Sequence, residues 1–119
     1  MLELDLPLPP EPLYPNSRTR NHNYFAKLVK SNRATVAMLA KVAKPHGAPF
    51  DALILQPVFY MPRRRDADNL LAWIKSTQDG LQDAGWVRND STITLLPPKQ
   101  VTGKLAGRKL ILQVVARPI

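Results

Sequence analysis

The hydrophobic residues of this chain switch between the spacing of strands and the spacing of helices. Alternating apolar and polar residues, or short β-branched apolar runs, are typical of strands. Within the second run, Pro57 indicates an edge position or a bulge, because proline has no N–H to donate to a neighbouring strand. The third run is interrupted at Pro97-Pro98, and its resumption through Val101 is the alternative to a single short strand. Four strands are therefore predicted, covering residues 2–8, 51–61, 91–96 and 108–115.

Two longer segments have apolar residues at helical spacing. The first covers residues 22–44, which contain no Gly or Pro, and the second runs from Asp68 or Asn69 to a stop at Ala84-Gly85. Gly80 interrupts the second pattern and indicates close packing against a neighbour. The resulting order is β-α-β-α-β-β, which predicts a single α+β domain over residues 1–119. We expect a small mixed sheet of about four strands with two main helices on one face.

The first helix carries a basic face that has two interpretations. Lys27, Lys30, Arg33, Lys41 and Lys44 project to the side away from the apolar residues. A solvated cationic surface on a helix packed into the core explains them. A basic stripe that faces a nucleic-acid duplex explains them as well, and the sequence leaves both interpretations open.

Charge and composition narrow the class of partner. The 119 residues include 17 Lys and Arg against 9 Asp and Glu, which gives a net charge of +8 and favours a polyanion, nucleic acid ahead of an anionic membrane. No cysteine is present, which excludes disulfides and thiolate chemistry. No segment has the length and composition of a transmembrane helix or a signal peptide. We therefore expect a soluble, cytoplasmic protein that binds nucleic acid and has no membrane partner.

The candidate chemistry is concentrated where three arginines, Arg63–Arg65, run into Asp66 and Asp68. On extended backbone, residues two apart point to the same side, with Cα atoms about 6.5–7 Å apart, whereas on a helix they diverge. If the chain stays extended until Asn69, both carboxylates can share a cation. If Asp68 caps the helix instead, one of its oxygens is used by a backbone N–H. Capping and arginine pairing are the competing explanations.

A third acid, Asp90, follows the second helix, and a return of the chain is expected to bring it beside Asp66. Clustered carboxylates repel one another unless a cation joins them, and hard oxygen ligands favour Mg²⁺, with Mn²⁺ as a substitute. Such an ion can polarise a phosphodiester and activate water. Lys75 lies two turns after Asp68, on the same side of the helix, where it could contact the scissile phosphate.

These segments resemble the RusA-type Holliday junction resolvases of bacteria and their phages. The resemblance lies in Arg64-Arg-Asp-Ala-Asp-Asn-Leu70, the helix end Leu81-Gln-Asp-Ala-Gly85, and Trp86 with Asn89-Asp90-Ser91. It is weaker in the proline-rich N-terminal segment and in the glycine-containing hairpin before the last strand. Two positions depart from the family pattern: Ala72 stands where the family has its active lysine, and Asn89 stands where an acid is often found.

The resemblance implies a Mg²⁺-dependent endonuclease that cuts four-way DNA junctions as a symmetric homodimer. Asp66, Asp68 and Asp90 would be the metal-binding catalytic carboxylates, with Lys75 in the role of the family lysine. The candidate DNA contacts are Arg18, Arg20, Arg63, Arg64, Arg65 and Asn69. Two alternatives remain: a nuclease that acts on other branched DNA, and a non-catalytic basic nucleic-acid-binding protein.

Overall fold

A computed structural model describes residues 2–8, 22–64 and 67–117 of the chain. The elements are β1 (Leu2–Leu6), α1 (His22–Val42), β2 (Ala52–Met61), α2 (Ala67–Asp83), a short 3-10 helix (Asp90–Thr92), β3 (Ile93–Leu95), β4 (Lys99–Thr102) and β5 (Lys109–Arg117). The α+β class with two main helices and a mixed sheet is confirmed. The described residues form five strands, one more than predicted, because residues 91–102 make two short strands.

The sheet is organised around β2. On one side β2 pairs antiparallel with β5, which pairs antiparallel with β1; on the other side it pairs parallel with β3 and β4. The edge position expected from Pro57 is therefore wrong, since β2 is central. Proline is tolerated because β3 pairs with Leu53–Leu55 and β4 with Val58–Met61, which leaves Pro57 opposite the break between them.

The break between β3 and β4 is held by the side chain of Gln56. Its amide nitrogen donates hydrogen bonds to the carbonyl oxygens of Pro97, at 2.8 Å, and Pro57, at 3.1 Å. The backbone N–H of Leu96 donates to the Leu55 carbonyl at 2.9 Å. The two prolines at 97 and 98 thus interrupt the edge of the sheet without detaching it from β2.

One face of the sheet carries the core. Strand alternation directs one set of side chains from β1, β2 and β5 to this face. The helices cover it, as predicted, and each fully buried Leu or Ile contributes roughly 1.5–3 kcal/mol relative to exposure. The buried set comprises Leu4, Leu6, Leu53, Leu55, Phe59, Met61, Leu110, Leu112 and Val114 from the sheet, Val36, Ala40, Leu70, Ile74 and Leu81 from the helices, and Ala84, Trp86 and Val87 after α2.

The two helices approach closely at Gly80. A Cβ atom at this position would lie 2.7 Å from Cγ1 of Val36 and 3.0 Å from the carbonyl oxygen of Arg33, so only glycine fits. The close packing expected from the sequence is thereby confirmed. Helix α2 ends as predicted, because Gly85 has a φ of +82°, a conformation that glycine adopts without strain.

Trp86 anchors the chain beyond α2. Its side chain is 1% exposed, and its indole N–H donates a 2.7 Å hydrogen bond to the Ala40 carbonyl oxygen near the end of α1. The structure therefore assigns Trp86 to the core.

Candidate metal and nucleic-acid site

The candidate residues follow the end of β2, which we call the carboxyl end of the sheet. Because β1 and β2 are both antiparallel to β5, they run in the same direction and finish at this end. Five residues separate Met61, the last residue of β2, from Ala67, the first residue of α2. Crevices at the carboxyl ends of parallel strands, next to helix N-termini, are common sites for anionic ligands.

Helix α1 runs parallel to α2, so both begin at the carboxyl end. The buried side-chain amide of Asn32 donates to the Ser76 hydroxyl at 2.7 Å, and Val36 lies against Gly80. Both contacts join residues 44 positions apart, and Ala40 then meets Trp86 beyond the end of α2. Because later residues of α1 contact later residues of α2, the two helices run in the same direction. The positive ends of two helix dipoles are thus near the arginine segment.

The arginine segment is only partly described. Arg63 and Arg64 are exposed immediately after β2, and the backbone N–H of Gly103 donates to the Met61 carbonyl, which fixes the point where the chain leaves the sheet. Their position at the carboxyl end is consistent with contacts to an anion. The candidate residues Arg18, Arg20, Arg65 and Asp66 lie outside the described residues.

Helix α2 starts earlier than the sequence indicated. It begins at Ala67, so Asp68 and Asn69 lie in its first turn, and the expectation that the chain stays extended until Asn69 is wrong. For both residues the structure describes the backbone alone. An acid in the first turn is stabilised by the helix dipole, which explains why helix formation extends over Asp68. The carboxylate spacing derived for fully extended backbone therefore does not apply here.

Asp90 does not return to the start of α2. Helix α2 rises about 22 Å between Asp68 and Asp83, and the chain then meets the beginning of β2, where the Phe50 N–H donates to the Trp86 carbonyl at 2.8 Å. The 3-10 helix containing Asp90 comes next, before Ile93 pairs with Leu53. Because Mg²⁺–oxygen bonds are about 2.0–2.1 Å, Asp68 and Asp90 of one chain cannot share an ion.

Lys75 lies on α2 between these two positions. The helix is continuous from Ala67 to Asp83, so Lys75 is two turns beyond Asp68 and on the same side, as expected. Its side chain is exposed. The rise between the two residues is about 10 Å, which places Lys75 to contact a neighbouring phosphate more readily than the metal ligands themselves.

One arginine of the predicted basic face is already paired. Arg33 donates two hydrogen bonds to the Asp83 carboxylate, at 2.6 and 2.8 Å, and Asp79 lies 3.9 Å away. The pairing raises the pKa of Arg33 above its ordinary value and lowers that of Asp83, chiefly through the shared hydrogen bonds. Arg33 therefore ties α1 to α2. Two acids one turn apart on α2, opposite a basic helix, were the sequence signal for this pair.

No family model matches the chain, and no curated protein matches it significantly. Among the helices that the structure describes, none is both long and apolar enough to cross a membrane.

Proposed function

We propose that the chain is a Mg²⁺-dependent endonuclease that cuts branched DNA, with four-way junctions as its substrate. The observation that carries the proposal is the meeting of three features at the carboxyl end of the sheet: the exposed Arg63 and Arg64, the start of α2 with Asp68, and the start of the parallel α1. Cationic groups and helix N-termini bind phosphates, while aspartates bind hard cations. The resemblance to RusA-type resolvases supports junctions over other branches and implies a cytoplasmic enzyme.

The donor set suits Mg²⁺, or Mn²⁺ in its place. Asp66 and Asp68 are oxygen ligands, and Mg²⁺ is commonly held by one or two carboxylates together with waters and substrate phosphate oxygens. Bound there, the ion would polarise the scissile phosphodiester and help to activate water. Arg63, Arg64 and Arg65 would orient the phosphate backbone, with Asn69, Arg18 and Arg20 as further DNA contacts. Lys75 would offset charge on the phosphate.

A homodimer gives Asp90 a role in the same chemistry. Since α2 separates Asp68 from Asp90 within one chain, Asp90 can join the carboxylates only when a second copy supplies it. A two-fold axis that sets the start of one α2 beside the end of the other would complete two equivalent sites. Two sites also match the two incisions that resolve a four-way junction.

Cleavage of a labelled four-way junction tests the proposal. Wild type should cut in Mg²⁺ and not in EDTA, and Asp68→Asn should abolish cutting while junction binding is retained or strengthened, since a repelling carboxylate is removed. Asp5→Asn is the matched control, because Asp5 is exposed on the sheet face opposite the helices. Undiminished cutting by Asp68→Asn would refute the metal role.

Mixing inactive variants tests whether Asp90 acts across the dimer. If the sites are shared, mixing equal amounts of Asp68→Asn and Asp90→Asn chains gives heterodimers with one intact site each. About a quarter of all sites should then be active, and the product should be a nicked junction. Sites formed within one chain would give no recovery, which would contradict the shared arrangement.

A second candidate function is a non-catalytic nucleic-acid-binding protein. The position of Asp68 in the first turn of α2 favours it, because an acid there stabilises a helix without any metal. This function predicts junction binding that depends on Arg63 and Arg64, no cutting by wild type in Mg²⁺ or Mn²⁺, and lower stability of Asp68→Asn. The junction assay separates the two candidates.

A further inference from the structure

Two lysines of α1 lie beside the proposed site. The contacts of Asn32 with Ser76 and of Val36 with Gly80 place each residue of α1 level with the residue 44 positions later on α2. Lys30 and Lys27 are therefore level with residues 74 and 71, in the first half of α2. Both lysines are exposed, and α1 contains no acidic residue that could neutralise them locally.

The paired arginine marks where this positive surface stops. Arg33 carries one positive charge against the two negative charges of Asp79 and Asp83, so the cluster has a net charge of −1. Neither Lys27 nor Lys30 takes part in the ion pairs found among the described residues. Because Asp79 and Asp83 lie in the last turns of α2, a phosphate backbone is attracted to the first turns of the helix pair and repelled by the end of α2. Lys30, which lines a surface pocket with Arg33 and Asp83, lies at the boundary between the two regions.

The spacing of the two lysines fits one DNA strand. Lys27 and Lys30 are separated by about 4.5 Å along the helix axis, while successive phosphates of one strand advance about 3.4 Å along the duplex. Lysine side chains are long enough to absorb the difference. Lys41 is exposed on the same helix but lies about 21 Å from Lys27, beyond the negative cluster.

We propose that Lys27 and Lys30 bind neighbouring phosphates of the DNA arm that leads into the carboxyl end of the sheet. They are positioning residues, which hold the arm while the aspartates and arginines act on the scissile phosphate. This inference rests on the proposed function and adds a boundary to it: the DNA contacts the first half of α1 and leaves the second half free.

The salt dependence of junction binding, measured in EDTA, tests the inference. Each lost phosphate contact lowers the slope of log affinity against log salt by about one. Lys27→Ala/Lys30→Ala should therefore lower the slope by about two and weaken binding at physiological salt. Lys41→Ala/Lys44→Ala removes the same charge from the last turn of α1 and the residues just after it, and should leave the slope unchanged. Lys27→Arg/Lys30→Arg should restore it.

Several results would overturn the inference. An unchanged slope in Lys27→Ala/Lys30→Ala, or an equal decrease in both double variants, would show no localised contact. If wild type also cuts junctions, such a result removes this inference alone. If wild type does not bind junctions, the proposed function is wrong as well. The same holds if wild type binds anionic vesicles and not junctions. Thermal unfolding of both double variants checks that each remains folded.

Discussion

The two ends of β2 differ in charge and in exposure to solvent. At the carboxyl end the strand finishes at Met61, and the next described residues, Pro62 to Arg64, are exposed. At the opposite end Phe50 donates a 2.8 Å hydrogen bond to the Trp86 carbonyl, and Trp86 and Val87 are each 1% exposed. One end is charged and open, and the other is apolar and closed.

The difference indicates that stability and recognition are assigned to separate regions. The closed end joins α1, α2 and the sheet through buried groups whose loss exposes or empties the core. The open end presents the exposed Arg63 and Arg64, whose like charges repel each other until an anion binds. Substitutions at the closed end should therefore change the free energy of unfolding, and those at the open end should change DNA binding.

Trp86→Ala should give the largest loss of stability. It removes a buried indole and its hydrogen bond to Ala40, and large-to-small changes of this kind cost about 3–5 kcal/mol. Urea unfolding measures the loss. Trp86→Phe is the control, because it keeps most of the packing and removes only the donor to the Ala40 carbonyl. Its loss of stability should be about 1–3 kcal/mol. A loss below 1 kcal/mol for Trp86→Ala would contradict a structural role for the closed end.

Gly80→Ala should destabilise the protein although alanine is the better helix former. The gain in helix propensity is about 1 kcal/mol, but the new Cβ would lie 2.7 Å from Val36 and force the helices apart. Overpacking typically costs about 1–3 kcal/mol. In a Val36→Gly background, which removes both Val36 side-chain atoms within 2.8 Å of the new Cβ, the same substitution should cost less. An increase in the unfolding midpoint of Gly80→Ala would show that the helices separate easily.

Asp83→Asn should cause a smaller, pH-dependent loss. Arg33 lowers the pKa of Asp83, so the ionised carboxylate stabilises the fold above its ordinary pKa, and this contribution is lost as the pH falls through the lowered value. The side chains are 45% and 39% exposed, which screens the pair. The stability difference between wild type and variant should be present at pH 7 and vanish in acid. A difference that persists at low pH would assign it to packing.

Arg63→Ala/Arg64→Ala should have the smallest effect on stability and a clear effect on binding. Both residues are exposed, so the free energy of unfolding should change by no more than about 0.5 kcal/mol. Junction affinity should fall, and its salt slope should decrease by about one for each arginine. Unfolding that becomes easier while binding is unchanged would reverse the assignment of the two ends.

The fold was accessible from the sequence because periodicity reports burial. The apolar stripes of α1 and α2 and the need for a close contact at Gly80 all have local signals. The start of α2 has no unique local signal, since Asp66, Asp68 and Asn69 are all good capping residues and the sequence does not distinguish among them. Arg33 was assigned to the basic face because its partners come 46 and 50 residues later.

The position of Asp90 depends on the direction in which α2 runs relative to β2, and the spacing of residues along the chain does not reveal that direction. Once β2 and β3 are known to be parallel, the helix between them must run back to the beginning of β2. That rule separates Asp68 from Asp90 by the length of α2, and the expectation of a contact within one chain overlooked it.

Trp86 also gives the molecule a built-in optical probe. Its indole is shielded from water and bonded to α1, so its fluorescence should be blue-shifted while α1 is docked and should shift to the red when the helix separates. In a Trp73→Phe background Trp86 is the only tryptophan, and excitation at the red edge of the indole absorption selects it over the three tyrosines. Because β2 places about 30 Å between the two ends of the sheet, emission from Trp86 can follow unfolding in the presence of DNA without direct quenching by the bases.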